Sequence, residues 1–183
     1  MKKIEIFYDY ECPYCKLGYE TLLELLPEFP EMEIEWIPVE SHPRPEDHPP
    51  HTDLCLQSYY IIKELGADMA KFHTLMYKAV SAERQNVEKP EVLADIVKSI
   101  VDSKKFLELL NSGKYTHKVD ENNDLAYEKK GVWYVPAFRS GKIKLDAKGG
   151  IGVSKNELRD FLKKVIDKKV IDKKVINKKV ING

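Results

Sequence analysis

The chain has 183 residues, 43% hydrophobic and 33% charged. That suits one globular domain with a real core, or a small domain carrying an insertion. The formal net charge is zero and there are three cysteines, which gives no global drive toward nucleic acid or anionic membrane and too few thiols for a disulfide framework.

The zero conceals an asymmetry. Residues 163–183 hold 8 Lys and 2 Asp, leaving 22 basic and 28 acidic residues in the rest. At the N-terminus Lys2 and Lys3 precede "IEIFYDYE", which is too charged and too short for a secretion signal. No apolar run is long enough to span a bilayer. The expected location is cytoplasmic. Thiols are normally reduced there, so a close Cys pair points to catalysis or metal binding.

"KKIEIFY" alternates Ile4, Ile6 and Tyr8 against Glu5 and Phe7, a strand with one face more apolar. After "ECPYC", Leu17, Leu22, Leu23, Leu25, Leu26 and Phe29 predict a helix ending near Pro27. "MEIEWIPV" alternates again, with Met32, Ile34 and Trp36 on one face. The opening is therefore a βαβ unit, which favours a parallel pair with a right-handed crossover. "SHPRPEDHPPHTD" (41–53) is a proline-rich loop and a natural boundary.

A long helical stretch follows. "LCLQSYYIIKELG" and "ADMAKFHTLMYKAV" separate near Gly66, and "KPEVLADIVKSIV" starts with Pro90 in its first turn. "KKFLELLNSG" and "THKVDENNDLAYEKKG" end on Gly113 and Gly131. Strand patterns return in "VWYVPAFRS" (132–140) and "KIKLDA" (142–147), flanking Ser140-Gly141 as a tight hairpin. In "SKNELRDFLKKVI", Ser154 and Glu157 have capping-box spacing. Residues 163–182 repeat a five-residue unit, KKVID or KKVIN. Each repeat turns a helix by about 500°, so its Val-Ile pair drifts by about 140° and no stripe is sustained. A last helix extended by duplication is the simpler reading, against a dedicated basic binding tail.

Disulfide exchange needs one ionised, reachable thiol and a second close enough to resolve the mixed disulfide. Cys-x-x-Cys at a helix start supplies both. The N-terminal N–H groups and the helix dipole favour the Cys12 thiolate. Pro13 suits the first turn. Cys15 lies one turn on, less exposed. Cys12 is read as the nucleophile and Cys15 as the resolving thiol. Asp9 and Glu11 oppose the thiolate, Lys16 favours it, and Tyr14 lacks the cationic form of a His. A moderately lowered Cys12 pKa is expected, and a less oxidising couple than one with His between the cysteines.

Strand, Cys-Pro-Tyr-Cys, helix, strand, then Val135-Pro136 before two strands and a helix resembles the thioredoxin fold. The helical insertion resembles the DsbA-like oxidoreductase family. "CPYCKLGYETL", "HPRPEDHPPH", "FHTLMYKAV", "EVLADI" and "GVWYVPAF" are most similar to its FrnE-like group. The resemblance covers about residues 1–166. It implies an α/β thioredoxin-like domain over 1–45 and 131–166, a helical insertion over 46–130 and a Lys-rich tail over 167–183. It implies Cys12 and Cys15 as catalytic residues, with Pro13, Tyr14, Val135 and Pro136 binding substrate. Pro136 would be the cis-proline facing the pair, and Val135 would offer its backbone to a bound polypeptide or thiol. Family members often carry Trp in place of Tyr14 and an aromatic in place of Lys16.

The implied function is a protein-disulfide oxidoreductase or isomerase. It acts on protein or small thiols, with no cofactor beyond its redox-active disulfide and with glutathione as a candidate partner. Direction of electron flow and oligomeric state are left open. Kappa-class glutathione transferases and hydroxychromene-carboxylate isomerases carry Ser where Cys12 stands, and glutaredoxins lack the insertion. A non-catalytic thioredoxin-fold binding or holdase protein is the alternative from another class, and a glutathione-dependent transferase or isomerase of the kappa-class type is the third option. Zinc would need ligands from His42, His48, His51 and Cys55, and no metal is expected. Cys55 reads as a buried small hydrophobe. His73 and His117 read as packing or surface residues. Tyr8, Tyr10, Tyr14, Trp36 and Trp133 are expected near the Cys pair.

Overall fold

A computed structural model describes residues 2–167. The tail proposed from 167 onward lies outside the described residues except for Asp167. In order, β1 (Lys2–Tyr8), α1 (Pro13–Leu25) and β2 (Met32–Pro38) form the opening unit. Helices α2 (Asp53–Glu64), α3 (Met69–Tyr77), α4 (Pro90–Val97), α5 (Ser103–Asn111) and α6 (Thr116–Asn123) follow. Then come β3 (Ala137–Ser140), β4 (Ile143–Asp146) and a last helix, α7, over 155–167.

The sheet order is β2-β1-β3-β4, with β1 parallel to β2 and antiparallel to β3. This is an α/β thioredoxin-like sheet with an all-helical insertion between its halves. On one face Ile4, Ile6 and Phe138 pack with Leu22 and Leu25 of α1 and Leu158, Phe161 and Leu162 of α7. On the other, Phe7, Ile37 and Ala137 join a core built from the helical block, including Leu56, Phe72, Leu93 and Phe106. Phe7 is thus as buried as Ile4. The one-sided reading of β1 is corrected, because the helical block covers the second face of this central strand.

Local signals set several boundaries. Pro90 occupies the first turn of α4, and Asp68 and Asp102 cap α3 and α5 through Lys71 N and Lys105 N. Ser154 and Glu157 close the capping box reciprocally: Ser154 N donates to Glu157 Oε2 at 3.0 Å and Glu157 N to Ser154 Oγ at 3.3 Å. The strand expected from 132 begins only at Ala137. Val132 N–H is already committed to Ala126 O at 2.9 Å, and Pro136 has no N–H to give a ladder. The hairpin turn also shifts by one residue. Ser140 pairs with Ile143, leaving Gly141-Lys142 as the loop, with Gly141 at φ +57°. Glycine carries the left-handed position that such a turn needs. Two π-helical segments, Lys78–Ala82 after α3 and Asp124–Lys129 after α6, have no signal in the sequence pattern.

Candidate active site

Cys12 is the N-cap of α1, with extended φ/ψ of −71° and 114° and Pro13 in the first turn. Its carbonyl accepts from Cys15 N at 3.0 Å. Cys15 lies one turn inside and is 1% exposed, while Cys12 is half-buried. Both thiols are free.

The two sulfurs are electrostatically unlike. The Cys12 pKa is lowered, first by the hydrogen bond from the Cys15 thiol. Backbone N–H groups of Cys15 and Tyr14 add to this, while burial and the Asp9 charge oppose it. Burial pushes Cys15 far above an ordinary thiol, and its contact with Cys12 adds to the rise. Lys16 turns to Glu20 across one helical turn, so the help expected from its charge is spent elsewhere.

The second half of the chain meets this pair. Cys12 Sγ lies 3.4 Å from Val135 O, and the Val135–Pro136 peptide bond is cis. Gly18 makes the approach of α1 possible: a Cβ there would lie 2.9 Å from Pro136 Cγ. Tyr14 rests on the loop before α7, where Gly152 (φ +81°) would place a Cβ 2.9 Å from Tyr14 Cδ1. Cys12, Pro13, Tyr14 and Val135 line one cavity of about 380 Å³; its other walls include Glu11, His42, His48, Trp133, Tyr134 and the Lys148–Gly150 loop. Pro136 sits behind it, against Gly18.

Asp9 is the site's hidden brace. It is fully buried. Its Oδ1 accepts from Glu11 N at 3.2 Å, and its Oδ2 accepts from Ser41 N at 2.7 Å and from Thr52 Oγ1 at 3.1 Å. Its own N–H donates to Cys15 Sγ at 3.5 Å. Burial raises its pKa, against those hydrogen bonds. The carboxyl thus ties the Cys loop, the chain after β2 and the start of α2 together. From the π segments, Ser81 Oγ donates to Tyr10 O at 3.0 Å and the Tyr127 hydroxyl donates to Glu40 O. Sequence reading missed the roles of Asp9, Gly18, Ser41, Thr52, Ser81 and Tyr127. Only the small Gly18 in an apolar helix carried a signal.

The expected aromatic cluster divides. Tyr8, Tyr10 and Trp36 do gather, with Tyr19, Phe72 and Tyr77, around His73. His73 is 2% exposed, accepts or donates to Tyr10 Oη at 2.9 Å, and burial lowers its pKa to about 3. Trp133, by contrast, is 85% exposed on the cavity rim, and Tyr134 is 58% exposed beside it. Both precede Ala137, where the chain joins the sheet, and the Tyr134 ring lies beside Gly149. His42 and His48 stack at 3.8 Å on the cavity wall, whereas Cys55 is fully buried in the first turn of α2. Among the described residues no group of three or more His, Cys, Asp or Glu is placed to hold a metal ion.

The family model of the DSBA-like thioredoxin domain matches residues 3–142. The uncharacterized protein YwbO of Bacillus subtilis (strain 168) is 22% identical over 197 residues, covering 88% of this chain and 98% of that protein. Among solved structures, a probable DsbA oxidoreductase from Streptomyces coelicolor superposes with a TM-score of 0.79 at 15% identity, covering 91% of each chain. Pseudomonas aeruginosa DsbA superposes with a TM-score of 0.68 at 18% identity, covering 93% of this chain and 85% of its own. At these identities the structural likeness speaks for the fold.

Proposed function

Because the chain belongs to the DSBA-like thioredoxin-domain family, we propose that it is a thiol–disulfide oxidoreductase in which Cys12 exchanges with substrate and Cys15 resolves. The supporting observation is the asymmetry of the pair. Cys12 opens into the cavity with a lowered pKa, and Cys15 is sealed behind it with a raised one. The FrnE-like placement rests on the sequence stretches quoted for it.

In the oxidising direction a substrate thiolate attacks Cys12 Sγ of the Cys12–Cys15 disulfide. The S–S bond breaks, its electron pair goes to Cys15, and Cys15 takes up a proton. A second substrate thiolate then attacks the substrate sulfur of the mixed disulfide. Cys12 leaves as the thiolate, which the N–H groups of α1 stabilise, and the substrate is oxidised by two electrons as the pair is reduced. Reduction is the reverse. The walls formed by Pro13 and Tyr14 would guide the incoming sulfur to Cys12, and Val135 would offer its backbone to the polypeptide that carries it. Protein thiols and small thiols, glutathione among them, are the candidate partners.

The test is a redox titration of the Cys55→Ala protein against glutathione, read by free thiols. A reversible two-electron transition that disappears in Cys12→Ser supports the proposal. A Cys12–Cys15 pair that forms no disulfide under any poise refutes it. A second reading is favoured by the exposed Trp133 and Tyr134: a face that grips apolar polypeptide without chemistry. Suppression of aggregation by Cys12→Ser at the wild-type level, with no redox transition in the parent, would select it.

A further inference from the structure

A second cavity, of about 460 Å³, lies beside the first and has the opposite character. It falls within the roughly 300–1,000 Å³ range of ligand pockets. Among the described residues its lining carries the carboxylates of Glu40, Asp53, Asp120, Asp124 and Glu128 and one cation, Arg44. Arg44 is already paired, its Nη1 lying 2.9 Å from Asp53 Oδ1. Glu40 is the telling residue. It is 6% exposed, its Oε2 accepts from Asn123 Nδ2 at 2.9 Å, and its buried Oε1 has no partner among the described residues. A buried carboxylate oxygen left without a donor is costly. A cation entering the cavity would supply the missing donor once the Glu40 carboxylate turns toward it.

Two observations bear on which cation. The described residues place no three carboxylates, imidazoles or thiols together tightly enough for a metal ion. The complementary ligand is therefore an organic cation, an ammonium or a guanidinium. The position of the cavity narrows this further. Glu40, Pro43 and Arg44 line it, while Ser41 and His42, in the same stretch of chain, line the Cys12 cavity. Tyr127 lines both. The 40–44 segment is thus a partition with the reactive sulfur on one side and the acidic cavity on the other.

We propose that the acidic cavity around Glu40 receives a lysine or arginine side chain of the polypeptide whose cysteine exchanges at Cys12, selecting substrates with a basic residue near the reacting cysteine. This rests on the oxidoreductase reading above for its purpose, though not for the binding itself. Neutral and acidic substrates would leave the Glu40 oxygen unpartnered, and acidic ones would also meet like charge.

The experiment uses the whole oxidised protein and single-cysteine peptides that carry either Lys or Glu at one position, scanned two to five residues from the cysteine. The readout is the ratio of the two mixed-disulfide formation rates. At low salt the Lys peptide should react about fivefold or more faster at one or more positions. That ratio should fall toward one in Asp120→Asn/Asp124→Asn/Glu128→Gln, in Glu40→Gln, and at about 0.5 M salt. A control, Glu91→Gln/Asp95→Asn/Glu108→Gln, removes three exposed carboxylates elsewhere and should keep the ratio. No preference for Lys at any position overturns the proposal. So does a ratio that survives the cavity variants, or one the control abolishes equally. If no peptide reacts at all, the oxidoreductase reading fails. Equilibrium binding of the Lys and Glu peptides with Ser in place of Cys then decides the cavity alone, equal affinities refuting it.

Discussion

The Cys12 thiol donates to the carbonyl oxygen of Val135 across 3.4 Å, joining positions 123 residues apart in the chain. That contact puts the reactive sulfur against backbone contributed by the other half of the fold, in the bend just before β3. It also orders the two thiols, since Cys15 lies behind Cys12 and away from the cavity.

Alkylation should therefore separate the pair. In the reduced protein Cys12 should react with iodoacetamide with a midpoint below the roughly 8.5 of an ordinary thiol, and Cys15 should stay unmodified until the protein unfolds. Mass spectrometry of the labelled peptide against pH checks both. Equal labelling of the two cysteines in the folded protein would contradict the assignment.

Asp9→Asn should move that midpoint further down. The Asp9 charge raises the Cys12 pKa, so removing it favours the thiolate. Asp9→Ala should instead destabilise the fold by roughly 2–4 kcal/mol, because Glu11 N, Ser41 N and Thr52 Oγ1 lose a buried acceptor. Urea midpoints report the second effect and alkylation profiles the first.

Gly18→Ala should cost roughly 1–3 kcal/mol, since its Cβ would press on the rigid Pro136 ring at 2.9 Å. It should also change the exchange rate at Cys12, because α1 carries the sulfur and Pro136 follows Val135. A fully stable variant with wild-type exchange would show that the contact yields freely.

His73 predicts an acid limb of stability. Its folded pKa of about 3 is below the unfolded value near 6.5. The unfolded chain therefore binds the extra proton first. Stability from this residue is complete above pH 6.5 and falls as the pH drops from there toward 3, by at most about 1.4 kcal/mol per pH unit. The raised pKa values of Asp9 and Glu40 act with the opposite sign, their contribution being lost as pH rises through the folded values. Comparing wild type with His73→Phe isolates the histidine: the variant should be less stable at pH 7 but flatter across this range.

What the sequence by itself determined is what depends on near neighbours. Pro13 after Cys12 starts α1, and Pro90 starts α4. Ser154 with Glu157 starts α7. The left-handed glycines at 66, 113 and 131 close helices. These act within a turn of the chain, so their pattern reports them directly. Alternating runs likewise placed β1 and β2. The motif resemblance then brought Val135 and Pro136 to the Cys pair. What only the tertiary structure decided is which of these groups lose water and which partners they find. Asp9 reads as a nearby charge and is a sealed brace, because Ser41 and Thr52 arrive from two other segments. Trp133 reads as one of the rings near the Cys pair and stands 85% exposed on the cavity rim, because it precedes Ala137, where the chain joins the sheet. Glu40 and the acidic cavity draw carboxylates from positions 40 to 128, a convergence no local period encodes. Burial and pairing are set by contacts distant in sequence, and they in turn set the charge, reach and reactivity of the site.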